Sequence, residues 1–502
     1  MSDKIATVIN GDKKITVNIG AKLSDATEKT PHPCAGYGKC GKCKVIASGE
    51  LSPLSNTEKK HLSNEEIESG VRLACCTYIE GDCTVKEYSG TESTEVLLDS
   101  RLTDGLKCDL SGFGIAIDIG TTTLAAKLFD DKGSELSVYG ELNPEYKFGA
   151  DVISRIEAAM GGSADDIALI IREALDRIVR SLSDSAGVDP SLITSLVITG
   201  NTAMLYLLTK TDTEPLSHAP FEAPALFGKE FSPSELGLHS LSEGARIYLP
   251  RCMSAFVGAD TTCALLASGI CERDETAILT DIGTNGETAL WNHGSLSVCS
   301  SAAGPAFEGA LISMGMRGEK GAIDKVEYDG GAFNLHVIGE CAPKGICGSG
   351  LVDAVASLLK SEILDESGYL EDDEVNICDS VSITQKDIRM VQLAKSAICA
   401  GIVTLIKNEK LGYADLSALY VAGGFGSYLN IENAAYIGLI PKELSEKVSV
   451  IGNAALTGAS MLLLDSTLRE KAESLAKMSV TFSLAESDIF SDEYMNGMMF
   501  DI

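Results

Sequence analysis

Apolar residues fall at alternate positions over Ile5-Ala-Thr-Val-Ile9 and Ile15-Thr-Val-Asn-Ile19, with Asn10-Gly11 and a charged turn between them. A period of two around a tight-turn dipeptide predicts an antiparallel strand pair at the head of a small sheet. Further along, the pattern changes to short, continuous apolar runs. Phe113-Gly-Ile-Ala-Ile-Asp118-Ile, Val197-Ile-Thr, Ala277-Ile-Leu-Thr-Asp281-Ile, Leu419-Tyr-Val-Ala and Val450-Ile each end at or beside a glycine. Such runs read as buried strands. The stretch Asn143-Pro-Glu-Tyr-Lys-Phe-Gly149-Ala-Asp151 leads into a helix carrying Ile153 and Ile156.

The buried strands repeat. Asp118-Ile-Gly120-Thr121 recurs as Asp281-Ile-Gly283-Thr284, 163 residues later. Val197-Ile-Thr-Gly200-Asn201 is echoed by Val450-Ile-Gly452-Asn453, each before a helix-prone run. Four landmarks in the same order predict two related halves facing one another. Their turns suit a polyphosphate. Gly120 and Gly283 let the backbone approach phosphate oxygens, while Thr121, Thr122, Thr123, Thr284 and Asn285 surround them with donors. Asp118 and Asp281, at strand ends, suit Mg²⁺ held through water. Asp260, Glu287 and Glu308 are candidates for positioning water or touching the metal, with ordinary caps and turns as the competing role. A fifth landmark, Gly423-Gly424-Phe425-Gly426 after an apolar strand, suits close approach of an adenosine.

Cysteines carry a separate chemistry. Cys34, Cys40 and Cys43 form C-x5-C-x2-C in a glycine-rich loop, and further thiols follow at Cys75, Cys76 and Cys83. Four thiolates, three from one loop and one distant, is how a [2Fe–2S] cluster is held in ferredoxins. A zinc site favours paired C-x2-C units, of which there is one. The loop also fits G-x4-G-K, but Cys43 stands where a phosphate-binding loop needs Ser or Thr.

Composition narrows the setting. The 502 residues exceed one hydrophobic core. The net charge of −31 argues against nucleic acid and anionic membrane as partners. Residues 1–90 carry 12 basic and 12 acidic side chains, so the excess lies beyond them and marks a boundary near residue 90. With no signal-like start and no apolar run of about 18 residues, the expected location is the cytoplasm. There the 15 cysteines act as thiols or metal ligands rather than disulfides.

Residues 1–90 resemble plant-type and adrenodoxin-type [2Fe–2S] ferredoxins of β-grasp fold, in which the last ligand follows Leu-Ala, as Cys75 does here. The helix around Leu23 to Lys29 is shorter than usual for them. From residue 113 to about 460 the landmarks resemble the five motifs of the actin, sugar-kinase and Hsp70 superfamily. The expected fold is therefore a β-grasp ferredoxin domain plus a two-lobed α/β actin-like ATPase. Its expected parts are 1–90, a linker at 91–112, a first lobe at 113–206 and a second at 207–502.

The whole arrangement is similar to the reductive activators of corrinoid proteins. That resemblance implies ATP-dependent return of Co(II) to Co(I) on a separate corrinoid protein of a methyltransferase or O-demethylase system. The cluster would be the immediate donor and an upstream donor would refill it, with a homodimer among the arrangements to expect. Two other readings stay open at this level: a sugar-kinase-like phosphotransferase, and a redox sensor that binds a partner without delivering an electron.

Overall fold

The computed structural model describes residues 5–10, 13–27, 43–62, 64–87, 106–425 and 428–500. The chain divides into two compact units, Met1–Ser93 with Glu145–Ala150, and Thr94–Pro144 with Asp151–Ile502.

The first unit is a five-stranded sheet. Ile5–Asn10 pairs antiparallel with Lys13–Asn18 and parallel with Ile79–Glu87. Lys44–Leu51 lies antiparallel to Ile79–Glu87 and carries Val71–Leu73 at the edge. The alternation expected at Ile5–Ile9 is present, but with the faces assigned by packing. Ala6 and Val8 enter the core, whereas Ile5 is 65% exposed and Ile9 38%. One 3₁₀ turn, Leu23–Ala26, stands where the short helix was expected, and residues 28 and 29 lie outside the described part.

A buried polar knot fastens this unit. Glu58 sits in the helix Asn56–His61 with no solvent exposure. It accepts hydrogen bonds from Arg72 Nε (2.8 Å), Thr77 Oγ1 (2.9 Å) and the Ser55 N–H (2.9 Å). Burial alone would raise its pKa, but Arg72, Ser55 and Thr77 outweigh burial and lower it to about 2. Because the folded value lies below the ordinary 4.5, the stabilisation is complete above pH 4.5 and fades as acid approaches pH 2. Glu58→Gln should destabilise the unit by about 3 kcal/mol at pH 7, since it strips Arg72 of its counter-charge. The deficit should shrink toward pH 3, as urea unfolding followed by circular dichroism would report.

In the second unit, two six-stranded sheets share one plan. In each, a central strand makes an antiparallel hairpin with its successor and a parallel pair on its other side. Phe113–Ile119 pairs this way with Thr123–Phe129 and Ile193–Gly200, and Ala277–Ile282 with Gly286–Asn292 and Ala418–Ala422. The internal repeat is thus a repeat of topology.

The boundaries differ from those expected. Lys229–Phe231 and Arg246–Leu249 extend the first sheet, so the first lobe continues past residue 206. The helix Ala454–Leu464, late in the chain, also packs on that sheet, with Leu456, Ala459 and Leu462 in one core with Ala116 and Val197. It runs close against the helix Ala259–Ser268, and a Cβ on Gly458 would lie 2.0 Å from the Cys263 carbonyl oxygen. The end of the expected linker belongs to this unit as well. The Asp109 N–H donates to the Leu464 carbonyl at 2.8 Å, and Leu110 is buried beside them. Burial of apolar area has no preference for sequence neighbours, so a lobe recruits whichever segment covers its sheet.

Among the described residues, the helix Gln385–Asn408 is long and apolar enough to cross a membrane, yet 78% of its apolar window is buried against the second sheet's core. Its Lys395 is buried too, donating to the carbonyls of Gly497 (2.7 Å) and Met499 (2.6 Å), which ties down the end of the chain.

Candidate functional site

Two sites emerge, one in each unit. In the first, the turn after Val71–Leu73 brings Cys75 beside Cys43, the residue just before the strand Lys44–Leu51. Their sulfurs are 3.2 Å apart, well beyond a disulfide's ~2.05 Å and close enough to serve one metal centre. The Cys75 N–H points at Cys43 Sγ (3.5 Å), the kind of backbone donor that tunes a thiolate ligand. Both side chains are nearly enclosed, at 1% and 3% exposure. The Cys76 sulfur lies 3.6 Å from that of Cys75, and Cys83 is held within the strand Ile79–Glu87 opposite Gly49. Cys34 and Cys40 lie outside the described residues. The donor set present fits half of a four-thiolate cluster site.

The second site is built on hairpin turns. The first turn is closed by the Gly120 N–H on the Thr123 carbonyl (2.9 Å). The second runs through Gly283, Thr284 and Asn285, between the strands Ala277–Ile282 and Gly286–Asn292. A single carboxylate joins the turns: Glu308 accepts from Thr122 Oγ1 through Oε2 and from Thr284 Oγ1 through Oε1, the latter at 2.7 Å.

The Gly-Asn landmarks serve as both caps and clamps. Asn201 caps the helix Thr202–Thr209 through its carbonyl oxygen and donates Nδ2 to Thr121 Oγ1 (3.1 Å). Asn453 caps Ala454–Leu464 and donates to Asp118 Oδ2 (3.1 Å). The Gly423-Gly424-Phe425 turn follows Ala418–Ala422. Gly423 has φ of +97°, and a Cβ there would stand 2.5 Å from Asp281 Oδ1, so only glycine lets this turn pass the carboxylate. Gly424 is exposed, and the half-buried Phe425 stacks on Phe307 at 5.2 Å between centroids. Gly426 lies outside the described residues.

Asp118, Asp260, Asp281 and Glu287 converge electrostatically. Burial pushes Asp118 up to about 7, reinforced by Asp260 and Asp281 against the Asn453 bond. Asp281 also rises to about 7, from burial and then from Asp260 and Glu308. Burial takes Asp260 to about 6 and lifts Glu287 well above the ordinary range, with Asp260 and Asp281 adding to the latter. None of the four makes an ion pair among the described residues. Negative charge held without a counter-charge is costly, and a divalent cation relieves it. No three His, Cys, Asp or Glu side chains among the described residues are close enough to ligate an ion directly. Carboxylates at strand ends in such a field suit a divalent cation.

Motif reading missed two residues. Asn143 Nδ2 holds the Gly120 carbonyl (2.8 Å) and the buried Arg155 Nη2 holds the Thr121 carbonyl (2.6 Å), together fixing the first turn from behind. Asn143 carried a signal, since it opens a Pro-containing stretch before a helix. Arg155 lies between Ser154 and Ile156 in the short helix Val152–Ala158, and no motif distinguishes it.

Comparison with known proteins agrees with this division. Residues 7–80 match the 2Fe-2S iron-sulfur cluster binding domain, 113–273 the RACo middle region and 275–501 the C-terminal, ASKHA domain of RACo. The corrinoid activation enzyme RamQ of Eubacterium limosum is 35% identical over 419 residues, 77% of this chain and 70% of that protein. The [Co(II) methylated amine-specific corrinoid protein] reductase of Methanosarcina barkeri is 26% identical over 419 residues, 76% of each. A solved reductive activator for a corrinoid, iron-sulfur protein superposes with a TM-score of 0.72 at 26% identity, covering 99% of this chain and 98% of its own. A ferredoxin-type unit joined to an actin-like ATPase body, in a sequence this similar throughout, makes the chain a member of the family of ATP-dependent reductive activators of corrinoid proteins.

Proposed function

We propose that this chain reduces the Co(II) of a corrinoid protein to Co(I), coupling the transfer of one electron to ATP hydrolysis, so that the partner regains its competence for methyl transfer. The observation that carries this reading is the presence, in one member of this family, of the Cys43–Cys75 sulfur pair and the paired Asp-Ile-Gly-Thr hairpins. Of the three readings open to the sequence, the comparisons favour this one. A [2Fe–2S] cluster on Cys34, Cys40, Cys43 and Cys75 supplies single-electron chemistry. Cys75 is preferred over Cys76 because its sulfur faces Cys43. An upstream electron donor would be needed to re-reduce such a cluster. Unbridged thiols at all 13 described cysteines accord with work in a reducing cytoplasm.

On this reading, the turns of Gly120, Thr121, Thr122 and Thr123 and of Gly283, Thr284 and Asn285 frame the phosphates, and Gly423, Gly424 and Phe425 border the adenosine. Asp118 and Asp281 would hold Mg²⁺ through water, and Asp260 and Glu287 would orient a water for hydrolysis. Driving an electron against a gap of about 120 mV costs about 2.7 kcal/mol. A nucleotide-dependent change in lobe arrangement offsets that cost if it binds the partner's two redox states unequally.

The decisive assay is anaerobic. Reduced protein, ATP and a Co(II) corrinoid protein are mixed, and the cobalt spectrum is followed beside phosphate release. Loss of Co(II) and hydrolysis should rise together. Reduction to the same extent without ATP would overturn the reading.

A further inference from the structure

Glu308 closes the 3₁₀ turn Pro305–Glu308, far in sequence from the first hairpin. Its two carboxylate oxygens are occupied by hydroxyls from opposite halves of the body, Thr122 on Oε2 and Thr284 on Oε1. A carboxylate only accepts, while a hydroxyl has one proton to donate and two lone pairs. Both protons are therefore committed to Glu308, and Thr122 and Thr284 can offer any further partner only lone pairs. Thr121 is arranged oppositely. Its oxygen accepts from Asn201 Nδ2 (3.1 Å), and its proton stays available to an acceptor. Three threonines that look alike in sequence thus differ in hydrogen-bond polarity.

We propose that Glu308 is a positioning residue that sets this polarity. It turns Thr122 and Thr284 into acceptors for Mg²⁺ or its water shell, and leaves Thr121 with the backbone N–H groups to meet phosphate oxygens. The expectation that all these hydroxyls donate to phosphate is replaced by a division of labour, one side facing the cation and the other the anion. The same carboxylate ties the turns of the two halves together, so the cation's surroundings form only when both hairpins are in register. Glu308 also adds to the negative field at Asp281, which favours a cation further. This inference rests on the nucleotide reading above.

The test is the binding of a non-hydrolysable ATP analogue to the full-length protein, by calorimetry with Mg²⁺ and again with EDTA. Glu308→Gln keeps the shape but places an N–H₂ donor against one hydroxyl, forcing that proton outward. The gain in affinity on adding Mg²⁺ should fall at least fivefold, while metal-free binding stays within twofold of wild type or tightens. Mn²⁺ in place of Mg²⁺ should bind correspondingly more weakly by EPR. Thr284→Val should reproduce the loss of the metal-dependent gain, Thr284→Ser should preserve the gain, and Thr121→Val should weaken metal-free binding instead. Melting curves identify any variant that fails to fold, and the threonine series then carries the test. An unchanged Mg²⁺ gain in both Glu308→Gln and Thr284→Val, or equal losses with and without metal, would overturn the polarity assignment while leaving the ATP reading intact. A wild type that binds the analogue under neither condition overturns both.

Discussion

Asp281→Asn should lower ATP hydrolysis by about 10²–10³-fold while making the nucleotide-free protein more resistant to heat at pH 8. Asp281 is half-buried at the end of a central strand, facing the fields of Asp260 and Glu308, and its carboxyl titrates at about 7. The folded value lies above the ordinary 3.8, so the ionised form is the less stable one in the native protein. Above pH 7 the wild type holds that charge at a cost, and asparagine removes the cost with almost no change of shape. Near pH 6 the native carboxyl is largely protonated already, so the gain in melting temperature should shrink there. Loss of activity paired with a pH-dependent gain in stability separates a functional carboxylate from a structural one. A variant that hydrolyses ATP at the wild-type rate would remove Asp281 from the site. Variants Asp118→Asn and Glu287→Gln belong to the same field and should show the same pairing, though Asp118 also loses part of its bond from Asn453.

The second large effect concerns the cluster. Cys75→Ala should abolish the [2Fe–2S] absorbance and the reduced-state EPR signal, and with them cobalt reduction, while ATP hydrolysis by the body continues. Cys76→Ala should retain the cluster. The contrast rests on orientation. Cys75 Sγ lies 3.2 Å from Cys43 Sγ and the Cys75 N–H points toward that sulfur, whereas the Cys76 sulfur lies 3.6 Å from that of Cys75. Iron content that survives in Cys75→Ala and vanishes in Cys76→Ala would reverse the assignment. Since ferredoxin-type clusters require four thiolates, a three-ligand site is not expected to hold its metal through gel filtration.

These effects can be anticipated because both sites are built from local chain geometry that sequence motifs record well. A strand ending in Asp-Ile-Gly-Thr and a Gly-Asn before a helix each specify a turn through a few neighbouring residues. The two hairpins and both asparagine caps accordingly stand where the repeat placed them. The buried strands were equally legible, since continuous apolar runs leave little alternative to a covered sheet. The edge ribbon was legible in type but not in facing. Ile5 and Ile9 are larger than Ala6 and Val8, yet the small side chains enter a core already filled by Leu23, Leu73 and Ile79.

The sequence by itself therefore determined the two chemistries, the order of the parts and the residues at each turn, because these depend on contacts a few positions apart. Tertiary structure alone decided what depends on distant segments meeting. It set the Cys75 sulfur against that of Cys43, and it gave Lys229–Phe231, Arg246–Leu249 and the helix Ala454–Leu464 to the first sheet. It placed Arg155 and Asn143 behind the first turn, and it joined Thr122 and Thr284 through Glu308. The reason is the same in each case. Hydrophobic burial fixes which surfaces are covered without naming the segment that covers them, and a hydrogen bond between residues far apart in the chain exists only once that covering is complete.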